Sequence, residues 1–114
     1  MKEDLHKTRW NRLSIRLHVP QAMGVFLVAA NEDGAEGDMG PEKVLLVGSA
    51  QNLRAKLLEI FDVEEIQTLS ARAVHWVAGL TAEQAWLAER QFIRRYNPPV
   101  NLAGRSRYLD ILAG

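Results

Sequence analysis

Two short, uninterrupted apolar runs mark the centre of the chain. Gly24 to Ala30 reads Gly-Val-Phe-Leu-Val-Ala-Ala, and Lys43 to Gly48 reads Lys-Val-Leu-Leu-Val-Gly. Runs this short, rich in β-formers and lacking polar alternation, predict strands covered on both faces. Asn31 to Glu42 lies between them with Gly34, Gly37, Gly40, Pro41 and five acids, which predicts a loop. The pair therefore reads as an antiparallel hairpin with a long tip. Leu53, Leu57, Ile60 and Phe61 then recur at helical spacing behind Asn52, a suitable N-cap, and predict a helix to about Phe61. Arg72 to Val77 is a third strand, ended by Gly79. Thr81-Ala82-Glu83-Gln84 has the capping-box form and opens a helix that should run to about Tyr96. Asn97-Pro98-Pro99 stops it, because proline cannot continue a helix and restricts the residue before it.

The second helix holds a polar residue where an apolar one is expected. With Ala85 taken as zero and about 100° per residue, Phe92 falls near 340°, Tyr96 near 20° and Ile93 near 80°. Glu89 falls near 40°, inside that stripe, while Arg90 and Arg94 fall on the far side and Arg95 on a flank. A carboxylate aimed at a core is costly unless paired or bound to a cation. An ion pair with Arg or Lys, a wet stripe edge, a metal ligand and a catalytic carboxylate are all open readings. Near the N-terminus, Leu13-Ser14-Ile15-Arg16-Leu17 alternates apolar and polar, which favours a strand over a helix. After Leu102, a short segment is expected to pack through Tyr108, Leu109, Ile111 and Leu112.

Composition narrows the classes. With 114 residues, 47% hydrophobic and 25% charged, the chain suits one soluble globular domain. There are no cysteines, which excludes disulfides, thiolate metal sites and a cysteine nucleophile. No apolar run approaches the roughly 20 residues that span a bilayer. Residues 1–18 show no signal-peptide pattern, so a cytoplasmic protein is expected. The net charge is zero but unevenly distributed: residues 1–20 carry five Lys or Arg against Glu3 and Asp4, and residues 31–43 carry five acids against Lys43. The strong basic excess common in nucleic-acid binders is absent.

Several candidate motifs fail on spacing. Counting back from Gly34 or Gly37 does not reproduce a calcium loop. Gly34-x-x-Gly37-x-x-Gly40 lacks the Lys-Ser/Thr ending of a phosphate loop and opens no helix. Ser49 is not in a Gly-x-Ser-x-Gly elbow. His6, His18 and His75 show no metal-ligand spacing. Trp10, Trp76 and Trp86 read as core or groove-edge residues.

The order strand, loop, strand, helix, strand, helix, followed by Asn-Pro-Pro-Val-Asn, resembles the GIY-YIG nuclease domain. That family includes homing endonucleases and the incision subunit of bacterial excision repair. Gly24-Val25-Phe26 is similar to its Gly-Ile/Val-Tyr, and Leu46-Val47-Gly48 to its Tyr-Ile/Val-Gly. Ser49 to Leu57 is similar to the start of its first helix, Glu89 to its second-helix glutamate, and Tyr96, Pro98 and Asn101 to its closing Tyr-x-Pro-x-x-Asn. The resemblance covers about residues 20–102. It implies an α+β fold with a central three-stranded antiparallel sheet flanked by helices, in one domain over 1–114. Residues 1–19 would be an extension and 103–114 a tail.

The resemblance also assigns site positions. Phe26 and Leu46 stand where the family has tyrosines, the first of which helps activate the attacking water. Lys56 stands where the family arginine contacts the scissile phosphate. Lysine keeps that charge but loses the planar fork and its paired donors. Glu89 would be the metal ligand, for Mg2+ or Mn2+, and Asn101 is kept in type. The implied function is nucleic-acid binding, DNA ahead of RNA, without efficient cleavage. Arg54, Lys56, Arg72, Arg90, Arg94, Arg105 and Arg107 would supply phosphate contacts. One alternative is an active metal-dependent endonuclease in which Tyr96, Tyr108, His75 or a metal-bound hydroxide replaces the lost tyrosines. The other is a protein-interaction or self-association module that uses the acidic loop and the basic N-terminus.

Overall fold

The structure is a computed structural model that describes residues 5–30, 41–63 and 70–102. The elements are β1 (His6–Arg9), α1 (Arg12–His18), β2 (Gly24–Ala29), β3 (Val44–Ala50), α2 (Leu53–Phe61), β4 (Ala73–Ala78), α3 (Ala82–Tyr96) and α4 (Pro99–Leu102). The four strands form one antiparallel sheet in the order β1-β4-β2-β3. The hairpin of β2 and β3 pairs Phe26 with Gly48 and Leu27 with Val47. Strand β4 pairs with the other edge of β2, which makes β2 a central strand. Helices pack on both faces of β2, so all of its residues are buried, and that double cover is the physical source of its unbroken apolar run.

Helices cover both faces. On one, Ile15 of α1 and Leu53, Leu57 and Ile60 of α2 pack on Phe26, Val28, Leu46, Val74 and Trp76. On the other, Phe92 of α3 packs on Val25, Leu27, Ala29, Val44 and Val47, with Ala88, Ile93 and Tyr96 at the margin. Fully burying side chains of this size contributes about 1.5–3 kcal/mol each. Asn52 caps α2 through Ala55 N, and Thr81 and Gln84 form the reciprocal capping box of α3. Asn97 ends α3 in the left-handed region at φ 48°, before the prolines.

Two expectations are corrected. The sheet has four strands, not three. The extra strand, His-Lys-Thr-Arg, is a mostly exposed edge held by pairing with β4, so no buried side-chain pattern announces it. The alternating stretch at Leu13 to Leu17 is helical, not extended. Asn11 accepts from Ser14 N at 2.7 Å and caps α1, and Ile15 alone of the three apolar residues is buried. Leu13 and Leu17 remain 66% and 65% exposed, so their alternation with Ile15 does not mark a strand face. The tail packing expected beyond Leu102 and most of the acidic loop lie outside the described residues.

Candidate functional site

The end of the sheet where β3 leaves, β2 begins and β4 finishes holds a cavity of about 530 Å3. Its wall combines Met23, Ser49 and Asn52 with Lys56 and Glu59 of α2 and Ala82 and Ala85 of α3. Met23 is fixed there because its carbonyl accepts from Gly79 N and Leu80 N. Both α2 and α3 begin at this cavity, so the partial positive ends of two helices meet beside an ammonium group. Lys56 follows the Asn52 cap by one turn, and its side chain is 16% exposed. Its ammonium lies 3.4 Å from Glu59, whose side chain is 52% exposed. A partly exposed pair of this kind contributes at most about 1 kcal/mol.

Glu89 reaches the same place from α3. Ser49 Oγ donates to Glu89 Oε1 at 2.8 Å, and Ser49 also lines the cavity. The carboxylate inside the apolar stripe is thus half-buried against a hydroxyl, and among the described residues it is in no ion pair. Nothing in the sequence around Ser49 marks it as the partner of Glu89. The two lie 40 residues apart, and no local pattern links them.

Phe26 and Leu46 are fully buried in the core beneath α2, and neither lines the cavity. Phe26 stands across from Gly48 on β3. Asn101 sits against the outer side of β3. Val47 N donates to its Oδ1 at 2.7 Å, and its Nδ2 donates to Val47 O at 2.8 Å. The carboxamide therefore ties α4 to the sheet. Asn101→Ala strands both backbone groups of Val47, each worth roughly 1–3 kcal/mol if left unmet. Urea denaturation should show a lower midpoint at unchanged slope. An unchanged midpoint would mean that the tie holds nothing.

The arginines are dispersed. Arg54 Nε donates to Val19 O at 2.8 Å, which anchors α2 to the segment after α1. Arg72 is exposed just before β4, at the end of the sheet away from the cavity, since Ala73 pairs with Ala29 and Ala78 with Gly24. Arg90 and Arg94 are exposed on α3, and the Arg90 guanidinium lies 4.9 Å from the centroid of Trp86. Arg105 and Arg107 lie outside the described residues. Of the expected site residues, Lys56 lines the cavity and Glu89 bonds Ser49, which lines it too. Trp10 and Trp76 are core residues, at 9% and 4% exposure, but Trp86 is 53% exposed.

Solved structures with a similar arrangement of helices and strands include three forms of one domain. One is the GIY-YIG N-terminal endonuclease domain of UvrC from Thermotoga maritima bound to its catalytic divalent cation, magnesium. It is 18% identical, covers 75% of this chain and 92% of its own, and superposes with a TM-score of 0.55. The others are a tyrosine-to-phenylalanine and an asparagine-to-alanine point mutant of the same domain, also cation-bound. Each is 20% identical and covers 75% of this chain and 91% of its own, with a TM-score of 0.55. The chain has the GIY-YIG fold. No protein-family model matches the sequence, and no curated protein does. No described helix is long and apolar enough to cross a membrane.

Proposed function

We propose that this GIY-YIG domain binds nucleic acid through its phosphate backbone at the cavity around Lys56 and cleaves it inefficiently or not at all. The observation that supports the reading is a cavity that holds a lysine and two helix N-termini, together with two silent positions. Lys56 and two helix N-termini face the cavity, whereas Phe26 and Leu46 are sealed in the core with no hydroxyl to offer. Loss of a group that activates water costs roughly 10²–10⁴-fold in rate. Arg90 and Arg94 extend the positive surface along α3, and such contacts position a strand without reading its sequence.

A divalent cation fits Glu89 in one particular way. Among the described residues, no cluster of three or more acidic or histidine side chains stands ready to cage a metal. One carboxylate oxygen of Glu89 takes the Ser49 hydroxyl, which leaves the second to a ligand. Magnesium is commonly held by one or two carboxylates while keeping several waters and binding substrate phosphates. When bound, it would polarise a phosphate oxygen. Ser49 would orient the carboxylate, and Lys56 would hold the phosphate.

A second reading rests on the same hydrogen bond. A hydroxyl held 2.8 Å from a carboxylate, at a cavity that also holds Lys56, offers a polar pair in place of the missing tyrosine hydroxyls, which suits an active nuclease with a rearranged site. Supercoiled-plasmid nicking with Mg2+ or Mn2+, run beside Glu89→Ala, separates the two. For the binder, nicking does not exceed that of the mutant, while binding to DNA tightens as salt falls, and Lys56→Ala lowers the salt slope by about one. Nicking lost in both Glu89→Ala and Ser49→Ala would establish the active enzyme. No binding to DNA or RNA at low salt would end both readings.

A further inference from the structure

The shoulder of α3 beside the cavity carries features that phosphate binding does not use. Around the helix axis, with Ala85 at zero, Glu89 lies near 40°, Ala82 near 60°, Trp86 near 100°, Arg90 near 140° and Arg94 near 180°. Ala82 lines the cavity and Glu89 bonds its Ser49 wall. The strip therefore leaves the cavity, crosses Trp86 and ends on two arginines. Trp86 is 53% exposed, against 9% and 4% for the other two tryptophans. The Arg90 guanidinium stacks over it at 4.9 Å from the ring centroid, which steadies the indole in place. Among the described residues, neither Arg90 nor Arg94 is in an ion pair. Glu83, one turn toward the N-terminus from Trp86, and Glu89 equal the two arginines in formal charge, but neither acid pairs with them, so both guanidinium groups stay open to a phosphate.

A lone exposed tryptophan is ordinary on a protein surface. This one is set in line between a cavity that holds Lys56 and two arginines, on a helix that holds its direction fixed. An exposed indole flanked by guanidinium groups matches the flat face of a nucleobase and the phosphates on either side of it. In a duplex those faces are covered by neighbouring bases, so the surface selects unpaired nucleotides.

We propose that Trp86 is a stacking platform for an unpaired base, with the strand's phosphates running over Arg90 and Arg94 into the cavity at Lys56. This rests on the nucleic-acid reading above and adds a preference for single strands to it. The test titrates the full chain, at low salt, with a thymidine oligonucleotide and with a duplex of equal length, following tryptophan fluorescence and anisotropy of the labelled nucleic acid. The single strand is expected to quench the exposed indole and to bind more tightly than the duplex. Trp86→Ala should weaken single-strand binding roughly 5–100-fold, with duplex binding changed less than about twofold, and Trp86→Phe should recover most of the loss. If Trp86→Ala binds the single strand as tightly as wild type, the platform is refuted while nucleic-acid binding stands. If neither nucleic acid binds wild type, both readings fall together. If Trp86 becomes shielded with rising protein concentration and no oligonucleotide, the strip is a contact between copies, and the proposal fails.

Discussion

Gly24→Ala should lower the stability of the fold by about 3 kcal/mol or more, the upper range for forcing an atom into a packed site. A Cβ built on Gly24 falls 2.0 Å from Val77 O, 3.0 Å from Ala78 Cα and 3.0 Å from Leu53 Cδ1. The first two are backbone atoms of the neighbouring strand, so rotating a side chain does not relieve the contact. Strand β2 is held by β3 on one side and β4 on the other, with Gly24 opposite both Ala50 and Ala78. Moving it away from β4 therefore strains its pairing with β3. Guanidinium denaturation should show a large fall in midpoint, and the same substitution should loosen the adjoining cavity and weaken ligand binding. Gly79→Ala is the fitting control. Gly79 has φ 79° and open space around it, so alanine there meets only the left-handed backbone penalty of about 1–2 kcal/mol. Equal losses at the two positions would show that the approach of β2 to β4 is not the constraint.

The second large effect is a loss of stability on mild acidification, traceable to His75. This residue on β4 is 2% exposed, and its Nε2 has no hydrogen-bond partner. Burial, aided by Lys7 opposite it on β1, lowers its pKa from 6.5 to about 4. The imidazole thus stays neutral in the folded chain while the unfolded chain takes up a proton below pH 6.5. Stability from this source is complete above pH 6.5, declines as pH falls and is exhausted near pH 4. At 1.36 kcal/mol per unit, the loss is about 3 kcal/mol. His75→Leu removes the titration, so the difference between mutant and wild-type unfolding free energies should grow across that window and be flat above it. Curves that stay parallel from pH 7 to pH 4 would show that His75 charges freely in the folded state.

The sequence was most readable where burial leaves a pattern in the residues themselves. β2 and β3 are covered on both faces and appear as plain apolar runs, and α2 and α3 carry their caps in Asn52 and Thr81. β1 was not readable, because backbone pairing with β4 holds an edge of largely exposed side chains. α1 was misread because Leu13 and Leu17 alternate with Ile15 without sharing its burial. At the site, Glu89 declared itself as a carboxylate in an apolar stripe, but its partner Ser49 comes from an element 40 residues away. The exposure of Trp86 was equally hidden, since its direction about α3 left it on the margin between core and water.

The Asn101 tie to Val47 bears on the company this sheet can keep. β3 is one outer strand, and the carboxamide occupies the N–H and C=O that Val47 turns away from β2. The opposite outer strand, β1, is four residues long and carries Lys7 and Arg9. One border is plugged by a side chain and the other is short and cationic, and both devices discourage a foreign strand from adding on. The sheet is built against growth by strand addition, and with it against the intermolecular pairing that seeds aggregation.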